Sequence, residues 1–570
     1  MDYKIKYQEW LDSPYVDKGL KHELKEIQDS EEEIKERFYK DLEFGTGGMR
    51  GILGAGTNRM NQPVVGKAIQ GLASFIKQSG VDNMSCVIAY DSRHQSREFS
   101  ELSASILAAG GVKTYIFDGI RSTPELSHAV RELKCTAGIM FTASHNPRDY
   151  NGFKVYWDYG CQMLPEMAEE LIRHIEKIDF SDIESIGFEE GLVKKQIIIL
   201  SDDIDDIFIE KVKHTSIKKS VDKNLKIVYT PLHGTGTRPV MRVLKEMGFR
   251  NVFPVTEQLI PDPNFSTVEY PNPEDEKAFE KAYIKANEVK GDIVIANDPD
   301  CDRIGVAVNT GDQTYQLLTG NQVGPLLIDY ILKTRKEQGS LPNNPYVIKT
   351  IVTSELGRVV AEYHGVNCID TLTGFKYIGE IMEENAKKGT LDFIFGYEES
   401  IGYTIGDFVR DKDAVTATLM VCEMAAYYKS KDMTLLDALD KLHKRHGYYV
   451  DTLKSINMEG MAGEEQIAKI MSEFRTQSLA KLGEKRVVSK YDYLAETAID
   501  YVNHKDKPTG LPKSDVLKFN LEDGSWFVLR PSGTEPKIKI YFSTVHRDEK
   551  TAQEVSKSMM DSVLAIIDQI

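Results

Sequence analysis

No CxxC pair and no cysteine–histidine cluster occurs in this sequence; its six cysteines, Cys86, Cys135, Cys161, Cys301, Cys368 and Cys422, are scattered. That excludes a disulfide framework and a zinc site, and it fits a reducing compartment. No apolar run approaches the roughly 20 residues a membrane helix needs. The opening Met1-Asp2-Tyr3-Lys4-Ile5-Lys6-Tyr7 lacks the apolar core of a signal peptide, so a cytoplasmic protein is expected. Positive charge is also in deficit: 71 Lys and Arg against 88 Asp and Glu leave −17. The resulting field repels nucleic acid and acidic membranes, and neither is expected as a partner. Small anions can still bind where a few Lys and Arg converge. There is no GxSxG elbow, which disfavours an α/β-hydrolase.

What remains is a balanced chain of 570 residues, 41% hydrophobic and 28% charged, long enough for about three to five domains. Glu31 to Arg37 reads as a solvated helix face. A glycine-rich stretch, Phe44-Gly45-Thr46-Gly47-Gly48-Met49-Arg50-Gly51, follows. One rhythm then occurs three times: a short β-rich run, a polar turn, an amphipathic helix, and a later strand that ends in polar residues. The later strands are Ala137–Phe141, ending at Thr142-Ala143-Ser144-His145-Asn146-Pro147; Asp292–Ala296, ending at Asn297-Asp298-Pro299-Asp300; and Leu391–Phe395, ending at Gly396-Tyr397-Glu398-Glu399-Ser400. Such alternation implies βαβ units and mainly parallel sheets, whose ligands sit beyond the carboxyl ends of the strands. One copy offers a serine there, one a set of aspartates, one a pair of glutamates. After about residue 440 the rhythm changes to a smaller α+β domain, with a helix over about 464–479, a strand at 537–541 and a closing helix over about 551–567.

Asp298-Pro299-Asp300-Cys301-Asp302-Arg303 places carboxylates at i, i+2 and i+4 after an apolar strand. Two like charges 4 Å apart repel by about 4 kcal/mol at an effective dielectric of 20. A divalent cation with hard oxygen ligands removes that cost, and Mg2+ is the natural candidate; an acidic surface turn is the alternative. The Gly and the bidentate Glu of an EF-hand are missing. Ser144 taken alone is a turn residue. Beside a metal held by three Asp, it suits phosphoryl transfer, which needs mostly positioning and electrostatics. His233, in its Gly-Thr-Gly turn, reads as structural.

Taken in order, the motifs at Thr142–Pro147, Asp298–Arg303, Gly396–Ser400 and Arg530-Pro531-Ser532-Gly533-Thr534-Glu535-Pro536 resemble those of the α-D-phosphohexomutase superfamily, most closely its phosphoglucomutase/phosphopentomutase branch. The resemblance runs from about Phe44 to Tyr541. It implies three similar α/β domains with mixed, mainly parallel sheets plus a smaller C-terminal α+β domain, around a central cleft. The expected domains are 1–205 (phosphoserine, with an N-terminal helical extension), 206–320 (metal), 321–440 (sugar) and 441–570 (phosphate).

The resemblance also implies roles. Ser144 looks like the phosphoryl-carrying serine, and with Asp298, Asp300 and Asp302 like a ligand of one Mg2+ per chain. Arg303 and His145 would hydrogen-bond the phosphate, and Arg50 is similar to a further cation beside it. Lys154, in Asn151-Gly152-Phe153-Lys154, is similar to a general acid/base, its pKa lowered by burial beside cations. Glu398 and Ser400 match residues that take ring hydroxyls. Arg530, Ser532, Gly533, Thr534 and Lys539 match the loop that grips the other phosphate, and Lys376 is a further phosphate contact or else a solvated lysine at a helix start.

The implied activity is interconversion of glucose 1-phosphate and glucose 6-phosphate, with glucose 1,6-bisphosphate as intermediate and activator, by a monomer or dimer acting on a small phosphosugar. The Glu398-Glu399-Ser400 sequence resembles the glucose-type loop, and Ile401-Gly402-Tyr403 lacks the His of the mannose-type branch. The flanking Tyr397 and Ile401 resemble the pentose side, so ribose or deoxyribose 1-phosphate is the alternative substrate. A phosphatase that releases phosphate to water, and a non-enzymatic sugar-phosphate binder, are the readings from other classes.

Overall fold

The computed structural model describes residues 2–45, 47–311, 314–458, 460–477, 479–532 and 537–570. These residues fall into two compact units. The first comprises 1–319, 375–395 and 400–432; the second comprises 320–374, 396–399 and 433–570.

The first unit opens with short helices. Glu31–Phe38 is among them, and it is not wholly solvated: Ile34 and Phe38 are buried, with Phe38 set edge-on against Trp10. Seven strands then form one sheet: Phe44–Gly45 (β1), Gly48–Ile52 (β2), Ser85–Tyr90 (β3), Lys113–Phe117 (β4), Ala137–Phe141 (β5), Tyr150–Trp157 (β6) and Ile197–Leu200 (β7), in the order β1-β2-β6-β5-β3-β4-β7. The β3, β4, β5 and β7 neighbours are parallel. Every residue of β3 and β5 is buried, as expected of strands covered on both faces. β6 returns antiparallel to β5 and pairs β2 antiparallel on its other side, with Met140 and Gly48 both opposite Lys154. The sheet is therefore mixed: a parallel centre extended by a hairpin. The core beneath it includes Ile69, Leu72, Ile88, Phe99, Ile106, Phe141 and Phe153.

Ile227–Thr230 (β8), Val252–Pro254 (β9), Ile293–Asn297 (β10), Ile304–Asn309 (β11) and Tyr315–Leu318 (β12) form a second mixed sheet in the order β12-β11-β10-β8-β9. β10 is parallel to β8 and antiparallel to β11, so residues 298–303 make the turn of a hairpin at the carboxyl end of β10.

In the second unit, Pro345–Thr350 (β13) and Asn367–Thr371 (β14) pair in parallel. The strand Asp392–Glu398 (β15) runs from the first unit into the second, and Gly402–Ile405 (β16) lies in the first. The C-terminal sheet is built on Tyr448–Asn457 and Lys537–His546, which pair antiparallel over ten residues each. Leu517–Leu521 and Trp526–Pro531 add to it, with Phe519 and Phe527 paired across strands and stacked at 4.7 Å. Helices Gly460–Thr476 and Glu549–Ile567 belong to the same domain.

Candidate active site

β5 delivers residues 142–147 at its carboxyl end. The Ser144 backbone turns with φ 50°, a left-handed conformation costly for a residue with a Cβ. Two neighbours fix it. The Ser144 N–H donates to Thr142 Oγ1 at 2.7 Å, and the Arg93 guanidinium donates to the carbonyls of Ser144 and Asn146 (2.5 Å each), Pro147 (2.7 Å) and Tyr150 (3.0 Å). Arg93 is held in turn by the buried Asp91. So the hydroxyl stands on a loop four of whose carbonyls face one cation.

Ser144 is buried, and its Oγ donates to Asp298 Oδ2 at 2.8 Å and lies 3.1 Å from His145 Nδ1. Asp298, Asp300 and Asp302 are all buried, and one carboxylate oxygen from each lies within 4.8 Å of the others. The loop places them by backbone bonds: Asp298 Oδ1 accepts from the N–H groups of Asp302 (3.1 Å) and Arg303 (2.9 Å). Cys301 between them adopts φ 53°. Thr123, at the start of the capped helix Thr123–Glu132, donates from Oγ1 to Asp300 Oδ2 at 2.8 Å.

Burial, and then the charges of Asp300 and Asp302, push the Asp298 carboxyl well above its ordinary range. Burial pushes Asp302 the same way, but Lys154, Lys412 and Arg303 outweigh it and hold it low. Asp300 Oδ1 and Asp302 Oδ1 are buried without a hydrogen-bond partner. Unpaired buried carboxylate oxygens are expensive, and two of them beside a third converging carboxylate suit a hard divalent cation. The donor set therefore fits the metal that the sequence implies.

Cations surround this cluster. Lys154 Nζ lies 2.8 Å from Asp300 Oδ2 and 3.0 Å from Asp302 Oδ2. The expectation of a depressed Lys154 pKa is corrected here. Burial does depress it, but Asp300 and Asp302 outweigh burial and raise it, because its nearest neighbours are carboxylates rather than cations. Arg303 donates to the Ser400 carbonyl at 3.2 Å, and its Nε lies 3.7 Å from Asp302. Arg50, on β2, donates to Asn146 Oδ1 at 2.8 Å. Burial, followed by the charges of Arg303 and Arg50, holds His145 well below the usual imidazole range, so the ring next to Ser144 is neutral. Lys376 begins a helix, and its ammonium lies 5.4 Å from the Tyr377 ring.

In the second unit, Glu398 Oε1 accepts from the Gly374 N–H at 2.8 Å, which ties the end of β15 to the Thr373-Gly374 turn. Glu399 accepts from Thr353 at 3.2 Å and Thr350 at 3.4 Å. On the C-terminal sheet, Arg530 and Lys539 are directly opposite on neighbouring strands, an arrangement that like charges tolerate best with an anion between them. The Ser532 N–H donates to the Lys537 carbonyl at 2.8 Å. Gly533 and Thr534 lie outside the described residues.

Arg93, Thr123 and Lys412 carry no motif of their own in the sequence. Only the fold brings them to the serine and aspartate loops. Lys412 Nζ lies 3.3 Å from Asp302 Oδ2.

A buried serine hydroxyl thus meets a carboxylate of a three-aspartate cluster that is itself flanked by Lys154, Lys412 and Arg303. Four domain models of the phosphoglucomutase/phosphomannomutase family match in order: α/β/α domain I over 41–182, domain II over 206–311, domain III over 319–445 and the C-terminal domain over 463–562. The chain belongs to this family.

Among relatives, it is 38% identical to a phosphoglucomutase of Staphylococcus haemolyticus over 91% of this chain and 93% of that one. It is 36% identical to one of Staphylococcus epidermidis over 97% and 99%. In fold it is similar to the open form of the Paramecium phosphoprotein parafusin (TM-score 0.69, 18% identity, 93% and 96% covered). It is likewise similar to a Burkholderia thailandensis phosphoglucomutase/phosphomannomutase family protein (TM-score 0.67, 18% identity, 92% and 97% covered). Membership makes the chain an isomerase that moves a phosphoryl group on a phosphosugar, with catalysis that depends on a metal at the acidic triad.

Proposed function

We propose that this chain is a phosphoglucomutase, which interconverts α-D-glucose 1-phosphate and glucose 6-phosphate through a phosphorylated Ser144. Support comes from relatives of that name at 36–38% identity over nearly full length. The observation that carries the mechanism is the 2.8 Å contact of Ser144 Oγ with Asp298 in the buried aspartate cluster.

In this reading Asp298, Asp300, Asp302 and the Ser144 oxygen would hold one Mg2+, which would supply positive charge to the transferring phosphoryl group. Phosphoserine 144 gives its phosphoryl group to the free sugar hydroxyl; the Ser Oγ–P bond breaks and a P–O bond to the sugar forms, while the Lys154 ammonium gives a proton to the departing Ser144 oxygen and is restored by the proton the sugar hydroxyl loses. The product of this half-reaction is glucose 1,6-bisphosphate, which turns end for end and returns its other phosphoryl group to Ser144. With Asp300 and Asp302 engaged by a dication, Lys154 would feel less of their negative charge and would release its proton more readily. Arg303, His145 and Arg50 hold the phosphoryl oxygens. Glu398 and Ser400 orient the ring through its hydroxyls. Arg530, Lys539, Ser532, Gly533, Thr534 and Lys376 hold the phosphate that is not being transferred. The bisphosphate also primes a dephosphorylated chain.

The cytoplasm is the proposed compartment. Its supports are six buried, unpaired cysteines and a described chain in which no helix is long and apolar enough to cross a membrane.

The substrate is tested by the ratio of kcat/KM for glucose 1-phosphate to that for ribose 1-phosphate, each with Mg2+ and its bisphosphate. A ratio well above one is expected, and a ratio well below one overturns the hexose assignment. Chelation should abolish turnover, with Mg2+ restoring it.

A further inference from the structure

Lys412 is built into its position. Its stem passes so close to Gly402 that a Cβ there would meet Lys412 Cδ at 2.4 Å, and its ammonium lies 5.3 Å from the Phe375 ring. The ammonium reaches Asp302 Oδ2 at 3.3 Å, on the oxygen that also faces Lys154. On its other side it donates to Asp411 Oδ1 at 2.9 Å.

Asp411 is 1% exposed, and all its acceptor directions are used. Oδ1 also accepts from the Lys412 backbone N–H at 2.7 Å. Oδ2 accepts from the Tyr156 hydroxyl at 2.7 Å and from Gln162 Nε2 at 3.1 Å. Tyr156 is fully buried on β6, two residues beyond Lys154. The strand that presents one lysine to Asp302 thus also anchors the carboxylate that holds the second.

Charge decides what this is for. The three aspartates are offset by Lys154, Lys412 and Arg303, all within 4 Å of them. Asp411 supplies the extra negative charge beside the loop, and it gives Lys412 a second carboxylate to bind. Without it, the Lys412 ammonium would lose the carboxylate that draws it away from Asp302 and would compete there more strongly with a bound dication.

We propose that Asp411 is a positioning residue for the metal loop: anchored by Tyr156 and Gln162, it restrains the Lys412 ammonium and so keeps Asp302 available to the metal. This rests on reading the three aspartates as metal ligands. Partners one shell out from a metal ligand typically change affinity by 10- to 100-fold when mutated.

The test is direct Mn2+ binding to the dephosphorylated full chain, followed by electron paramagnetic resonance and calorimetry, with no turnover needed. Asp411→Asn should raise the Mn2+ dissociation constant by roughly 10- to 100-fold. Adding Lys412→Met to that variant should return most of the loss, because the competing ammonium is gone; a merely structural role for Asp411 predicts no such rescue. Tyr156→Phe, which keeps the ring, should weaken Mn2+ in the same direction by a smaller factor, and it carries the test if Asp411→Asn does not fold.

Wild-type affinity in both Asp411→Asn and Tyr156→Phe, or no rescue by Lys412→Met, overturns the proposal. A wild-type chain that binds no Mn2+ overturns the metal reading beneath it, which separates the two failures.

Discussion

Ser144, Cys301 and Ile401 each take a left-handed backbone, at φ 50°, 53° and 53°, in the three strand-end loops that carry the motifs. Such a conformation costs on the order of 1–3 kcal/mol for a residue with a Cβ and persists only where its surroundings dictate it. At Ser144 the surroundings are Arg93 and its four carbonyl acceptors. Arg93→Met removes the guanidinium from those carbonyls and leaves the buried Asp91 charge without its cation, so it should destabilise the chain by roughly 3–5 kcal/mol. Activity should fall further than stability accounts for, measured well below the unfolding midpoint against a denaturant titration; full activity in a destabilised chain would contradict the role given to Arg93.

Glu125 gives a pH prediction. Its Oε2 accepts from Ser122 N–H and Oγ at 2.8 and 2.6 Å, and its Oε1 is buried without a partner. Burial, and then the charge of Asp205, pushes its carboxyl up to about 7 from an ordinary 4.5. A raised carboxyl favours the folded state in its protonated form, so its contribution is complete below about pH 4.5 and is lost as pH rises through about 7. Glu125→Gln, which imitates the protonated side chain, should not show that loss. Across this window the wild type should lose up to about 3 kcal/mol relative to the variant. Parallel pH–stability curves for the two proteins would contradict this.

At the scale of elements, the strands that were legible are those with continuous apolar runs, such as Ser85–Tyr90 and Ala137–Phe141, buried on both faces. The hairpin strand Tyr150–Trp157 was visible only as the motif around Lys154, because Asn151, Gly152 and Lys154 interrupt its apolar residues. Lys485–Asp492, Thr497–Asp500 and Lys505–Pro508 read as short polar segments for a similar reason. The last is exposed along its whole length, so no hydrophobic pattern marks it. Ser144 and the three aspartates were legible because each motif is short in sequence; Arg93, Thr123 and Lys412 were not, because their contacts come from distant segments.

Element packing also holds the Glu398 turn in place. Tyr397, the residue before Glu398, is fully buried, and a Cβ at Gly357 would meet its hydroxyl at 2.1 Å while one at Gly324 would meet its ring at 2.3 Å. Gly324→Ala or Gly357→Ala must therefore displace the ring, at a cost of about 1–3 kcal/mol. Displacing Tyr397 moves Glu398, so KM for glucose 1-phosphate should rise as stability falls. An unchanged KM would detach Glu398 from ring recognition.

For the whole molecule, the serine, aspartate and lysine groups converge within the first unit, and the Glu398 turn and the Arg530–Lys539 pair lie in the second. The net charge of −17 is the background against which these local cation clusters attract a doubly anionic sugar. Each part of this account depends on Ser144 as the carrier of the phosphoryl group. The most direct measurement is the mass of the Ser144-containing peptide after incubation with glucose 1,6-bisphosphate and Mg2+, alongside turnover by Ser144→Ala. One added phosphoryl group on Ser144, discharged by glucose 1-phosphate, and background turnover in the variant are the predicted result. An unmodified Ser144 in an enzyme that turns over, or a Ser144→Ala chain that still isomerises its substrate, would contradict it.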